Sequence, residues 1–268
     1  MNASRIVFIG GGNIAEAIIS GLIRCDRKIR GRITVTDIRP ERLTYLSHKF
    51  AVRTTDNNLK AARDNDVIVL SVKPQQAGGV LSELSGKITP AQLVISVAAC
   101  ITTAYIEKFL GDVPVIRTMP NTPVLAGRGM TVFCRGAHAA KRHEKTVHNL
   151  FGCVGIVMAL PEKYFDAVTA VSGSGPAYVF YLAEAMVSAA EKMGIEGKSA
   201  RLMVKQTVAG AGELLSSSED DPAALRYRVT SPGGTTESAI KHFEEKKLRR
   251  IIIEALSKAR ARSRELTK

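Results

Sequence analysis

The sequence predicts an α/β domain followed by an all-α domain, and three observations carry that prediction. Residues 1–162 alternate short β-branched apolar runs with stretches of helical period, the pattern of a parallel sheet covered on both faces. Residues 163–268 contain no convincing strand, only Ala-, Leu-, Val- and Met-rich stretches of helical period. A glycine-rich turn stands where the first strand passes into the first helix.

The strand candidates run in order: RIVFI (5–9), ITVT (33–36), VRTT (52–55), DVIVLSV (66–72), LVISVA (93–98), PVIRTM (114–119), MTVFC (130–134) and GIVMAL (155–160). Helices are expected to start near Asn13, Pro40, Asn57, Pro74 and Thr102. The two strand candidates beyond Pro120 extend the sheet, with an antiparallel pairing as one option. A domain border is expected near residue 162, beyond which the helical stretches break at Ser172–Pro176, Gly194–Gly197, Ser216–Pro222 and Ser231–Gly234. The core must be aliphatic, because Trp is absent and aromatics make up only 5% of the chain. A helical half so rich in Ala would struggle to bury its apolar faces alone, so self-association through it is expected.

Composition narrows the function. No segment reaches the ~18 uninterrupted apolar residues needed to span a bilayer. MNASRIVFIG has no basic stretch followed by a long apolar run, so a cytoplasmic chain without a signal peptide is expected. Cys25, Cys100, Cys134 and Cys153 form no CxxC pair and read as reduced thiols. The formal charge of +13 invites a nucleic-acid partner. However, residues 241–268 hold ten Lys/Arg against four Asp/Glu, on a stretch with Phe243, Leu248, Ile251, Ile252, Ala255 and Ala259 at helical spacing. That is an amphipathic helix with a solvated basic face, and no nucleic-acid motif accompanies it. No His pair has HxxxH spacing, and no acid or Cys cluster joins the histidines, so no metal is expected. Ser174 is not a nucleophile elbow, because Ser172 and Pro176 stand where glycines are required; it reads as a helix cap.

The cofactor end is specific. Gly10, Gly12 and Ala15 form a G-x-G-x-x-A fingerprint after a strand and at the start of a helix, and a second strand ends at Asp37. Gly10 permits the tight turn, Gly12 lets the backbone approach a pyrophosphate, and Ala15 fits helix against strand. Asp37 stands where an acid would bond a ribose 2′-hydroxyl, which favours NADH. Arg39 and Arg42 follow at once, and either would hold the 2′-phosphate of NADPH. Lys73, in Ser71-Val72-Lys73-Pro74, either reaches a ribose or phosphate or simply begins the helix before Pro74.

Three further segments stand out: Met119-Pro120-Asn121-Thr122-Pro123, Ser172-Gly173-Ser174-Gly175-Pro176-Ala177-Tyr178 and Thr230-Ser231-Pro232-Gly233-Gly234-Thr235-Thr236-Glu237-Ser238. The third combines bare backbone at Gly233 and Gly234 with hydroxyls at Ser231, Thr235 and Thr236, at the start of a helix. Unpaired N–H groups there suit a small carboxylate, each interaction worth roughly 0.3–1 kcal/mol. The same loop also reads as a Pro-Gly turn with a Thr N-cap.

FIGGGNIAEAI, VLSVKPQ, MPNTP, AVSGSGPAYVF and VTSPGGTTESAI stand in the order found in the pyrroline-5-carboxylate reductase family, which the chain resembles over about residues 5–265. The resemblance implies a Rossmann-type domain over 1–162 that binds NADPH or NADH, and a helical substrate-binding and dimerisation domain over 163–268. It implies a homodimer through the C-terminal helices, with a higher assembly of dimers as an option. It implies cofactor contacts from Gly10, Gly11, Gly12, Asn13 and Ile14 at the pyrophosphate and from Asn58 on the adenosine side. Ser71, Val72, Lys73, Pro74, Ala98, Asn121 and Thr122 would line the approach to the nicotinamide. Ser231, Gly233, Gly234, Thr235 and Thr236 would hold the imino acid, with Glu219 bordering it. The chain departs from the family at AAC (98–100), where Ala-Ala-Gly is common, and at GGGNIA for the frequent GGGNMA.

The reaction implied is hydride transfer to the C=N bond of 1-pyrroline-5-carboxylate, giving L-proline, the last step of proline biosynthesis. An iminium is already electrophilic, so orientation matters more than a nucleophile or metal. Thr236 is the expected hydroxyl at the imine nitrogen, with Glu219 as a proton buffer or a structural acid. The loop near residue 233 is expected to turn the bound double bond toward the nicotinamide. The enzymatic rival is a β-hydroxyacid dehydrogenase, which resembles the chain at the glycine turn but relies on a helical-domain Lys and lacks SPGGTT. The non-enzymatic rival is a cofactor-binding protein without turnover.

Overall fold

Alternating side chains decide the architecture. In β1 (Ile6–Ile9), Ile6 and Phe8 join one buried cluster while Val7 and Ile9 join another, so both faces of the strand are covered. The structure, a computed structural model, describes residues 4–268; expectations for the first three residues lie outside it. After β1 come α1 (Asn13–Cys25), a short 3-10 segment, β2 (Ile33–Thr36), α2 (Pro40–Phe50) and β3 (Arg53–Thr55). Then follow α3 (Asn58–Arg63), β4 (Val67–Leu70), α4 (Pro74–Leu84), β5 (Leu93–Ser96), α5 (Thr103–Leu110) and β6 (Val115–Pro120). Next are β7 (Gly129–Arg135), α6 (Lys141–Phe151) and β8 (Gly155–Ala159).

The sheet order is β3-β2-β1-β4-β5-β6-β7-β8. Strands pair in parallel as far as β6; β7 runs antiparallel to β6, and β8 parallel to β7. The strand order reverses between β1 and β4, so a crevice opens at their carboxyl ends. The strands fall within a few residues of the sequence expectation. α6 was not expected: it is mostly polar, and only Val147, Leu150 and Phe151 of its face are buried.

By packing, the chain divides into two compact units, one of residues up to Ser174 together with Ala259–Lys268, the other Gly175–Lys258. The first unit continues beyond β8 through α7 (Phe165–Val168) and a π turn at Thr169–Gly173. The amide of Ser174 bonds the carbonyl of Thr169 at 2.8 Å, so the expected break at Ser172–Pro176 is instead a widened helical turn. Ser174 ends this turn and stands immediately before the first residue of the next helix, Gly175.

The chain's last residues belong to the same unit. Lys268 donates its amide to the carbonyl of Cys100 (2.9 Å) and accepts on its own carbonyl from the Thr102 amide and hydroxyl (3.1 and 2.7 Å). Cys100 has φ 60, a left-handed backbone that L side chains rarely adopt. The cysteine therefore stands at a backbone position that favours glycine, the residue common there in the resembling family, and its side chain is buried with Ser263.

The second unit holds α8 (Gly175–Lys192), α9 (Gly197–Ser217), α10 (Pro222–Arg228), α11 (Thr235–Glu245) and the start of α12 (Leu248–Leu266). Only Ala200 and Val204 are buried in it. No residue of α8 is, although Phe180 and Tyr181 lie 66% and 76% exposed.

One buried charge deserves a test of stability. Arg117 on β6 is 3% exposed, stacked 4.6 Å over Phe165 and bonded to Glu162 at 3.0 Å. Glu162 also accepts the Thr103 amide and hydroxyl at 2.8 and 2.7 Å. Glu162→Ala would strand the guanidinium without a partner and is expected to cost about 3 kcal/mol. A urea midpoint equal to that of the parent chain would show that Arg117 finds compensation elsewhere.

Candidate functional site

The turn from β1 into α1 is set by two backbone requirements. Gly10 has φ +97, and a Cβ there would sit 2.7 Å from the carbonyl oxygen of Ser71. Ser71 in turn donates its hydroxyl to the carbonyls of Gly10 (2.7 Å) and Ile9 (3.0 Å), knitting the end of β4 to the turn. Gly12 is the N-cap of α1 and has no side chain to bond the helix amides, and space beside Gly12 is open. The first-turn amides, including those of Asn13 and Ile14, therefore face no protein acceptor of the helix itself.

This turn borders a cleft of ≈ 510 Å³ lined by Gly10, Gly12, Asp37, Arg39, Asn58, Ser71, Val72 and Lys73 among others. A volume of this size suits a bound small molecule. Eight of the expected cofactor residues are thus brought to one cleft. Gly11 is adjacent but differently used: its amide donates to Asp37 at 3.0 Å, and a Cβ would press 2.7 Å against Leu46. Pro74 is the first residue of α4, and Lys73 is its exposed N-cap. Ala98 is buried just beyond β5. Asn121 bridges the end of β6 to the carbonyl of Ser172 (3.2 Å) and the amide of Met130 (2.8 Å), with Thr122 exposed beside it. Pro74, Ala98, Asn121 and Thr122 do not line the cleft.

Sequence reasoning missed Ile38, Gln76, Gly79, Val80 and Glu83 as cleft residues. The last four recur at helical spacing on α4, and that period was the available signal. Glu83 also bonds Asn58 at 3.0 Å, while Asn58 accepts the Thr36 hydroxyl at 2.6 Å.

Asp37 is held firmly. Its carboxylate takes both Arg39 contacts (2.9 and 3.0 Å), the Arg39 amide and the Gly11 amide. Burial works to raise its pKa, but the bonds from Arg39 and Gly11 outweigh it and hold the carboxyl below its ordinary range. Arg42 is committed elsewhere, to Glu16 and to the carbonyl of Gly11.

The loop before α11 sits in the second unit. Gly233 has φ +73, which a side chain would strain, and Gly234 is the N-cap. This corrects the alternative of a Thr cap. Two of the loop's amides are already engaged: Gly233 donates to the Glu237 carboxylate (2.8 Å) and Gly234 to the carbonyl of Ser231 (3.0 Å). The amides left without helical partners are those of Thr235, Thr236 and Glu237 itself. The Gly233 amide, with Lys241, lowers the Glu237 pKa. Ser231 and Thr235 are exposed and Thr236 half-buried; Glu219 is exposed in the loop before α10.

Other chemistries find no support among the described residues. No group of His, Cys, Asp and Glu is arranged for a metal, and no helix is long and apolar enough to cross a membrane. Burial pushes the thiols of Cys134 and Cys153 up to about 12, so neither is a nucleophile near neutral pH.

A doubly wound sheet, a glycine turn at its switch point and an acid after β2 define a dinucleotide-binding domain of the oxidoreductase type. Residues 5–100 match the family model described as NADP oxidoreductase coenzyme F420-dependent, and residues 162–266 match pyrroline-5-carboxylate reductase dimerisation. A pyrroline-5-carboxylate reductase of Pseudomonas aeruginosa is 42% identical over 99% of this chain and 98% of its own. Pyrroline-5-carboxylate reductase 1 of Bacillus subtilis is 35% identical over 98% and 89%. Among solved structures, the Coxiella burnetii pyrroline-5-carboxylate reductase superposes with a TM-score of 0.93 at 40% identity, covering all of both chains. The Plasmodium falciparum pyrroline carboxylate reductase, with NADP bound, gives 0.88 at 26%, again over both whole chains. The chain belongs to the pyrroline-5-carboxylate reductase family.

The state of Asp37 gives a pH signature. Because its folded pKa lies below the ordinary aspartate value, its contribution to stability is complete above that value and is lost as pH falls through the folded one. Asp37→Asn should melt below the parent at neutral pH, the gap closing in acid below about pH 4. A gap that stays constant on acidification would mean that the carboxylate's charge contributes nothing.

Proposed function

We propose that this chain reduces the C=N bond of 1-pyrroline-5-carboxylate to L-proline with NADPH or NADH, as the last step of proline biosynthesis in the cytoplasm. The single observation that carries the reading is the coexistence, in a chain of this family, of the open glycine turn and the SPGGTT loop at a helix start. In this reading Gly10, Gly12, Asn13 and Ile14 receive the diphosphate, with Gly11 bracing the turn from behind. Asp37 and Asn58 take the adenosine side, where the exposed Ile38 offers an apolar face to the base. Ser71 to Pro74, Ala98, Asn121 and Thr122 shape the approach to the nicotinamide. When bound, the reduced nicotinamide supplies the hydride.

The protein's own task is to bind and orient. The amides of Thr235 and Thr236 and the hydroxyl of Ser231 anchor the substrate carboxylate over the bare backbone of Gly233 and Gly234. Thr236 offers its hydroxyl to the ring nitrogen, which must end protonated, and Glu219 borders the substrate. Arg39 would serve a 2′-phosphate only by leaving Asp37, so Asp37 and NADPH compete for it. Residues 163–268 act as one substrate-binding and dimerisation domain, with the uncovered apolar residues of α8 to α12 meeting a second copy.

The direct test mixes the purified chain with pyrroline-5-carboxylate and each reduced cofactor and follows loss of nicotinamide absorbance. Oxidation of the reduced cofactor by a 2-keto acid instead, or binding without turnover, would overturn the reading. Thr236→Ala should lower kcat by about 10²-fold while leaving cofactor affinity intact; an unchanged kcat removes Thr236 from the mechanism. Tyr181→Lys with Leu182→Glu should yield monomers by sedimentation, since charges would enter the apolar interface. A dimer that survives both changes would locate its interface away from α8.

A further inference from the structure

The peptide linking Gly11 to Gly12 carries the Gly11 carbonyl on one edge and the Gly12 amide on the other, because a trans peptide is planar. Whichever way the carbonyl faces, the amide faces opposite. Between two glycines no Cβ resists a flip of that plane. Arg42, the third residue of α2, removes the freedom. Its Nε donates to the Gly11 carbonyl, and its Nη2 lies 3.5 Å from the Gly12 carbonyl.

Arg42 is itself immobilised. Its Nη2 donates to Oε2 of Glu16, one turn into α1, and its guanidinium lies 5.0 Å over the ring of Tyr45. The other Glu16 oxygen accepts from Lys49 at 2.8 Å and Tyr45 at 3.0 Å. Both partners of the Arg42–Glu16 pair are only 16% exposed. Burial works against charge on Glu16, but the bonds from Lys49, Arg42 and Tyr45 outweigh it, so the carboxylate stays ionised. On the other side of the turn, Gly12 lines the cleft with open space beside it.

We propose that Arg42 is a positioning residue for the cofactor diphosphate: by holding the Gly11 carbonyl on the α2 side, it keeps the Gly12 amide turned to the cleft, and Glu16 fixes the guanidinium for that task. The inference rests on the reading that the turn at 10–14 seats the diphosphate. Arg42 then serves a group shared by NADH and NADPH and is not the 2′-phosphate ligand.

The test measures KM, kcat and cofactor Kd with both reduced cofactors for the parent, Arg42→Ala, Arg42→Lys, Glu16→Gln and Gly12→Val. Arg42→Ala should raise KM for NADH and NADPH alike by about tenfold, more than it lowers kcat, with the NADPH-to-NADH ratio of kcat/KM unchanged within about twofold. A merely structural lesion would lower the active fraction, hence kcat, and leave KM alone. Arg42→Lys should restore little, because an ammonium cannot fork across two carbonyls and a carboxylate. Glu16→Gln should show a smaller rise of the same unselective kind, and it carries the test if Arg42→Ala does not fold. A loss confined to NADPH overturns the proposal by making Arg42 a phosphate ligand; unchanged KM for both cofactors in Arg42→Ala and Glu16→Gln overturns it too. Gly12→Val separates the two levels. Normal cofactor binding in that variant defeats the reading of the turn itself, whereas lost binding there with normal Arg42→Ala defeats only the positioning role.

Discussion

The contact between Gly10 and the carbonyl of Ser71 constrains every other feature of the cleft. β1 and β4 are neighbours in register, so the residue leaving β1 must pass directly beside the residue leaving β4. With φ +97 and less than 3 Å of room for a Cβ, only glycine makes that passage without strain. Ser71 answers with its hydroxyl on the Ile9 and Gly10 carbonyls, which ties the two strand ends together. The start of α1 is thereby placed at the switch point of the sheet, with its uncapped amides toward the crevice. Position, not any single reactive group, is what the fold delivers here.

Charge around the crevice is settled before any ligand arrives. Asp37 is bonded to the side chain and amide of Arg39 and to the amide of Gly11; Arg42 is bonded to Glu16 and to the turn. Arg39 and Arg42, the two cations that follow β2 most closely, therefore each have an anion partner. A 2′-hydroxyl would add one bond to an existing network. A 2′-phosphate would have to draw Arg39 from a pair whose guanidinium is half-exposed, a modest cost at a solvated site.

The sequence was legible where one local rule acted alone. Short runs rich in β-branched residues located the eight strands of the described residues, and Pro40 and Pro74 marked the starts of α2 and α4 through their fitness for the first helical position. Legibility failed where a local rule was overridden by a contact or a backbone angle that residue types alone do not reveal. Ser172–Pro176 reads as a break, yet the chain continues through a π turn, where a Cβ on Gly173 would collide with Met119 of β6. The loop at 231–236 reads as a row of free amides. Its left-handed Gly233 instead turns its own amide back onto Glu237, a bond that depends on a backbone angle no composition reveals. Arg39 and Arg42 look equivalent in DIRPER. Only the position of Glu16, 26 residues before Arg42, distinguishes them.

The helical unit raises a different physical problem. α8 carries Val179, Phe180, Tyr181 and Leu182 in succession, all exposed, and α12 adds Ile251, Ile252 and Ile253. Apolar burial stabilises by roughly 25 cal/mol per Å², so helices with nearly nothing buried gain little beyond their propensity. Tyr227 and Val229 stand just before the SPGGTT loop and Phe243 follows it on α11, and they are exposed as well. A second copy covering these residues would stabilise the two helices that frame the loop, and so the loop itself. By mass action, association and the ordering of that loop then draw on the same free energy. Activity in this chain should for that reason depend on protein concentration wherever the dimer begins to dissociate, even though each copy holds a complete set of the loop's residues.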